Sequence, residues 1–230
     1  MMIEYQLGRG ISRVLFAGLV LMATSLPPTF AQAQPKNSEF ISDMPALREN
    51  PNAPGSFRWE KNDRALQPYT RFLIDPIQFF VAPDSPYKGV TVKELAVIGG
   101  TLQNSIIQAL TPKYAVVTSR APGVARIRIA ITNIKFRRKK GEPVVPGLFG
   151  YLPVTFVLNT VVKEVESSTE LTEARVEMIA EDSVSGERLA IGIDPRSAKR
   201  AGGKDSWDAV TEDFDRYAKR IRTYIDEDHR

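Results

Sequence analysis

The sequence predicts an α+β fold: a mainly antiparallel β-sheet with two main helices, over about 91–111 and 206–226, packed on one face. Three observations carry this. Strand-like runs outnumber helical ones, a helical repeat lies at each end of the strand run, and residues 174–194 read as an antiparallel hairpin.

Residues 34–73 come first and read as an extended N-terminal arm. Pro35, Pro45, Pro51, Pro54, Gly55 and Pro68 recur too often for a helix or a central strand, while Phe40, Ile41, Phe57, Trp59, Tyr69 and Phe72 supply apolar anchors. A single α+β domain is expected over 74–230. It opens with a strand over Ile74 to Val81, its Pro76 near the start or on an edge. Thr91 and Glu94 form a capping box, and Leu95, Ile98, Leu102, Ile106 and Ala109 to Leu110 then recur at three and four until Pro112 ends the helix. Gly99 and Gly100 sit in that stripe without the lysine of a phosphate loop, so they predict close helix packing.

Strands follow at Tyr114 to Thr118 and Val124 to Phe136. In the second, Ile127, Ile129 and Ile131 alternate with Arg126, Arg128 and Ala130, and the slip at Thr132-Asn133 predicts a bulge. Val154 to Val165 reads as another strand. The closing helix carries Trp207, Val210, Phe214, Tyr217, Ala218, Ile221 and Ile225 at helical spacing.

The acid-rich run before and after Gly186 reads as a hairpin with a loop over Ser183 to Gly186. In that register Ala180 meets Leu189, Met178 meets Ile191 and Val176 meets Ile193, while Glu181 meets Arg188 and Arg175 meets Asp194 on the other face. Glu177 and Glu181 are then roughly 13 Å apart along the strand. That is too far for the paired carboxylates of a glycosidase, about 5 to 9.5 Å.

Composition narrows the chemistry. Cysteine is absent, and the single histidine, His229, lies in a charged tail expected to fray. Cysteine nucleophiles, disulfides and cysteine-rich zinc sites are therefore excluded, and no metal or other cofactor is expected. The net charge of +4 is too small to argue for nucleic acid.

Arg9 and Arg13, the apolar run Val14 to Ala23, Pro27-Pro28 and Ala31-Gln32-Ala33 form the three-part pattern of a signal peptide over 1–33, cleaved near Ala33. The alternative is an uncleaved anchor, since apolar residues reach as far as Leu26. The expected location is the periplasm or the exterior, with no transmembrane segment in the mature chain.

Several short motifs in order resemble one bacterial envelope family. They are Phe40-Ile41-Ser42-Asp43, Ile74-Asp75-Pro76-Ile77, Arg126 to Thr132, Glu181 to Glu187, and Trp207, Phe214 and Ala218. The family is similar to lipoproteins catalogued as domain of unknown function 3313. The resemblance implies an exported protein without an assigned activity, and it supplies no catalytic residues. Family members often carry a lipid-modified cysteine at the cleavage site. Here Ala31-Gln32-Ala33 stands instead, so no lipid anchor is expected.

One surface segment stands out. Arg137, Arg138, Lys139 and Lys140 precede a Pro- and Gly-punctuated stretch with Leu148, Phe149, Tyr151 and Leu152. It reads either as a contact for anionic envelope components or a partner protein, or as a solvated loop tip. The leading functional expectation is a non-enzymatic periplasmic binding or assembly accessory, its partner an envelope protein or anionic envelope component. The alternatives are a peripheral binder acting through 137–140 and a hydrolase using Asp75 or Glu164 with the hairpin acids. Export, and the lack of aromatics within the basic run, argue against nucleic acid.

Overall fold

The alternation around Ile127, Ile129 and Ile131 produces the central strand, β6 (Val124–Arg138). It belongs to a computed structural model that describes residues 38–51, 53–138, 140–141, 169–197 and 207–230. The other strands are β1 (Arg48–Glu49), β2 (Phe57–Glu60), β3 (Arg71–Ile74), β4 (Gln78–Val81), β5 (Ala115–Val117), β7 (Thr169–Asp182) and β8 (Arg188–Ser197). The helices are α1 (Val92–Leu110) and α2 (Trp207–Asp228). The strand expected over 154–165 lies outside the described residues.

The eight strands form one mixed sheet in the order β1-β2-β8-β7-β6-β3-β5, with β4 also on β6. From β1 to β6 the neighbours are antiparallel, whereas β3 and β4 run parallel to β6 and β5 runs parallel to β3. Ile74 to Val81, expected as one strand, is two. β3 and β4 lie along the same edge of β6, and Asp75-Pro76-Ile77 separates them because proline lacks the N–H that would continue the ladder. The expected bulge is present: the β6–β7 register shifts between Thr132 and Lys135, and Asn133 has φ of 50°.

The two helices pack on one face of the sheet. Thr91 accepts the Glu94 N–H, and the Glu94 carboxylate accepts the Thr91 N–H at 2.7 Å, so the capping box forms as expected. Leu95, Ile98, Leu102, Ile106 and Leu110 are buried with Phe214, Tyr217, Ala218, Ile221 and Ile225 of α2 against Ile127, Ile129, Val176 and Met178. Gly99 explains how α1 comes so near: a Cβ there would lie 3.1 Å from two ring carbons of Phe79. Ser105 ties the helices together by donating to Asp215 at 2.6 Å.

The arm is more ordered than its prolines suggest. It contributes β1, β2 and β3, and β2 pairs with β8. Its first part covers the sheet face opposite the helices, where Phe40, Ile41, Leu47 and Phe57 bury Ala130, Ile179, Ile191 and Ile193 in a second core. Phe72, expected only as an anchor, is fully buried in the main core.

The hairpin forms with a shifted register. Glu181 meets Arg188 as expected, but a bulge at that point places Ala180 opposite Ala190, Met178 opposite Gly192, Val176 opposite Asp194 and Arg175 opposite Pro195. One inserted residue exchanges the faces of β8 beyond it. Ile191 and Ile193 consequently join Ile179 in the second core, while Val176 and Met178 stay in the first. A sheet with both faces covered accommodates this exchange, since each face offers apolar partners.

Candidate functional site

The loop of the hairpin is organised by Asp182. One of its oxygens accepts the Val184 and Ser185 N–H groups at 3.0 and 2.8 Å, and the other accepts the Tyr69 hydroxyl at 3.0 Å. These bonds, the one from Ser185 foremost, hold the Asp182 carboxyl below its usual range. Burial and the same carboxylate push the Tyr69 phenol up to about 12. Gly186 closes the turn at φ of 73°, in the left-handed region that favours glycine. Ser183 is buried and its hydroxyl donates to the Ala121 carbonyl at 3.0 Å. Asp182 and Ser183 are thus parts of a turn.

Of the hairpin acids, Glu177 and Glu181 lie on the face covered by the arm, where Arg126 stands between Glu181 and Asp75, whereas Asp194 is held on the other face by Arg220 of α2. Arg126 grips Asp75 with contacts of 3.0, 3.0 and 2.5 Å and lies 3.8 Å from Glu181. Arg128 holds Glu181 at 3.1 Å. Arg188, the register partner of Glu181, instead donates to the carbonyls of Ser42 and Asp43 and clamps the arm. Glu177 is fully buried, accepts from Thr132 at 2.8 Å and from Ser38, and lies 3.5 Å from Arg175. Ser38 in turn accepts the Phe40 and Ile41 N–H groups. Sequence reasoning finds in Glu177 only half of a rejected catalytic pair. Its role as the anchor of the arm has no local signal, because Ser38 is 139 positions away. Glu164 lies outside the described residues.

The C-terminus is docked, contrary to the expected fraying. The Leu66 N–H donates to Asp228 at 2.8 Å. The ring nitrogens of His229 lie 2.7 Å from the Ile225 carbonyl and 3.1 Å from that of Tyr69, and the ring packs on Tyr114. His229 is therefore engaged by backbone and aromatic neighbours. Among the described residues no group of three or more His, Cys, Asp or Glu is placed to hold a metal ion.

Two carboxyl environments differ in sign. Although burial opposes its ionisation, Asp226 is held well below the carboxylate range by contacts from Lys113, Tyr114 and Arg222. Glu60 and Asp228 are pushed up, chiefly by burial, and for Glu60 the nearby Asp228 charge adds to this. The Tyr224 phenol beside them is also pushed up by burial.

Of the basic segment, Arg137 and Arg138 end β6 on exposed positions, and Lys140 follows on the exposed turn. Arg137 stands opposite Glu170 and Arg138 opposite Thr169 in the ladder with β7. Lys139, Leu148, Phe149 and Tyr151 lie outside the described residues.

A family model described as Protein of unknown function (DUF3313) matches residues 36–221. The chain belongs to that family. The match spans the whole described sheet, α1, most of α2 and the basic segment, as the ordered motifs anticipate. Among solved structures, the chain is similar to the PelC dodecamer from Paraburkholderia phytofirmans, with 11% identity and a TM-score of 0.37, over 73% of this chain and 96% of that one. A point variant of that dodecamer gives 10% identity and 0.38, covering 73% and 97%. An uncharacterized protein gives 10% and 0.36, covering 68% and 99%. No curated protein matches the chain.

Proposed function

We propose that this DUF3313 protein is an exported, non-enzymatic envelope protein that works by contact. The observation that carries this reading is the commitment of Asp75 and of the two hairpin acids nearest it: Asp75 and Glu181 share Arg126, and Glu177 is enclosed by Thr132 and Ser38. A hydrolase needs one carboxyl poised to give a proton and another ready to attack or activate water. Carboxylates held between guanidinium groups do neither well.

Export rests on the leader at residues 1–33, with cleavage near Ala33. Among the described residues no helix is long and apolar enough to cross a membrane. The chain has no cysteine to receive a lipid, so its attachment to the envelope is non-covalent. The exposed basic end of β6 favours a specific means of attachment, in which Arg137, Arg138, Lys139 and Lys140 meet anionic headgroups and Leu148, Phe149 and Tyr151 sit in the interface.

Fractionation of cells producing the tagged protein tests this reading. The wild type is expected in the envelope fraction, released by high salt, with its N-terminus at Gln34 by mass spectrometry. A variant with the four cations changed to Gln should move to the soluble exported fraction, whereas Glu181→Gln should remain with the envelope. Retention of residue 1, or equal distribution of the two variants, contradicts the reading.

A further inference from the structure

β5 stops at Val117, opposite Leu73, whereas the neighbouring chain continues through Ile74 and Asp75. The chain then turns away over 118–120 on exposed positions. The sheet edge beside Ile74 is left open, and the gap between β3, β5 and α1 is a cleft of about 510 Å³. Small-ligand sites span about 300–1,000 Å³.

One wall is apolar, formed by Leu73, Ile107 and Val116. The polar groups are few and convergent. Arg126 in the lining is already bound to Asp75, whereas Arg120 is exposed and has no ion-pair partner among the described residues. Two arginines against one aspartate leave the lining with an excess of one positive charge. Gln103 of α1 reaches across, its Nε2 lying 3.4 Å from the Ile74 carbonyl and 3.5 Å from that of Asp75. Well-formed N–H···O bonds are about 2.9–3.0 Å, so these acceptors are served only loosely. A side-chain amide stands where a strand extending the line of β5 would present its backbone N–H.

We propose that the cleft binds the carboxyl terminus of an extended peptide, which lies in line beyond β5 on the open edge of β3. The last peptide N–H replaces Gln103 on the Ile74 carbonyl, the final apolar side chain packs on Ile107 and Val116, and the terminal carboxylate pairs with Arg120. Each feature of the cleft selects one feature of the ligand. Main-chain addition suits an open sheet edge. A planar carboxylate suits the guanidinium fork. The excess positive charge repels a cationic end, and an amidated end gives Arg120 no carboxylate to pair with. The site lies at the start of β6, the opposite end from Arg137 and Arg138, so it does not depend on how the protein meets the envelope.

The test is a nuclear magnetic resonance titration of the exported protein with acetyl-Gly-Ala-Val-Leu bearing a free carboxylate, and with its C-terminal amide. The free acid should shift the amide signals of Gln103, Ile107, Val116 and Val117 saturably, and the amide form should bind at least about tenfold more weakly. Arg120→Gln, an exposed change that leaves the rest of the spectrum in place, should lose the same factor. Gln103→Ala should keep or tighten binding, because Gln103 is displaced. No saturable shift at about millimolar peptide, equal binding of acid and amide, or loss of binding in Gln103→Ala would overturn the proposal.

Discussion

The Thr132 hydroxyl donates to Glu177 across β6 and β7 at 2.8 Å, and that carboxylate has no exposure to solvent. Ser38 donates to the same carboxylate from the arm. A carboxylate so enclosed is stable only while its partners remain, since an unpaired buried charge is strongly disfavoured. The partners bear the converse cost when the carboxylate is removed. Glu177→Ala should therefore cost about 3–5 kcal/mol, and Glu177→Gln, which keeps an acceptor, about 1–3 kcal/mol, read from urea denaturation. Ser38→Ala should raise hydrogen exchange at the Phe40 and Ile41 amides, because their acceptor is lost. Unchanged exchange there would show that the arm is held by its apolar contacts alone.

The two faces of β7 respond differently to charge. Met178 is buried under the helices, so Met178→Asp should abolish folding or cost at least about 4 kcal/mol. The sequence alone pairs Glu181 with Arg188, yet the Glu181 side chain is 14% exposed and bridges Arg126 and Arg128. Glu181→Gln should accordingly cost about 1.5–3 kcal/mol, the range for hydrogen bonds to charged groups. Thermal unfolding of the two variants compares them directly, and equal losses would contradict the assignment of faces.

Gly99 limits how near α1 comes to β4. A methyl group at this position would meet the Phe79 ring at 3.1 Å, and Phe79 is itself buried. Gly99→Ala gains up to about 1 kcal/mol in helix propensity but must displace that ring. Gly99→Val gains less in helix propensity, adds more bulk against the ring and should destabilise by about 1–3 kcal/mol. A Gly99→Val melting temperature at or above the wild type would show that the helix has room to retreat.

Acid titration separates the two carboxyl environments. Asp226 is depressed in the folded state, so its stabilisation is present above the unfolded value and is lost as pH falls through the folded one. Asp226→Asn should lower the melting temperature at pH 7, and the difference should shrink below about pH 4. Glu60 is raised by burial, so ionising it penalises the folded state at neutral pH, and the penalty disappears as pH falls below the unfolded value. Glu60→Gln should raise the melting temperature at pH 7 and converge on the wild type in acid. Differential scanning fluorimetry across pH 3 to 8 reads both, and parallel curves for the two variants would reject the opposite signs.

Local chemistry makes much of the fold legible. The capping box, the apolar stripe of α1, the bulge near Asn133 and the turn at Gly186 each depend on residues a few positions apart. What the sequence conceals depends on distant partners. The prolines of the arm disguise β2, which exists because β8 offers it an edge. The bulge that shifts β8 is decided by the second core, where the arm supplies Phe40, Ile41 and Phe57. The acids of the hairpin look like a solvated charged face because neither the arm above them nor the arginines of β6 are near in sequence. For the candidate contact, the basic run is visible at once, and the structure adds the exposure of Arg137, Arg138 and Lys140 at the end of a long strand.

Co-sedimentation with vesicles tests most directly whether the protein acts by contact through this end. Protein beginning at Gln34 should pellet with vesicles containing anionic lipid at low salt and much less at high salt, since each headgroup contact contributes about 1 kcal/mol and is screened within roughly 8 Å at physiological ionic strength. Changing Arg137, Arg138, Lys139 and Lys140 to Gln should remove the salt-sensitive part and leave zwitterionic vesicles as poor a partner as before. Wild-type protein that ignores anionic vesicles at low salt, or a variant that binds them equally well, would contradict the account.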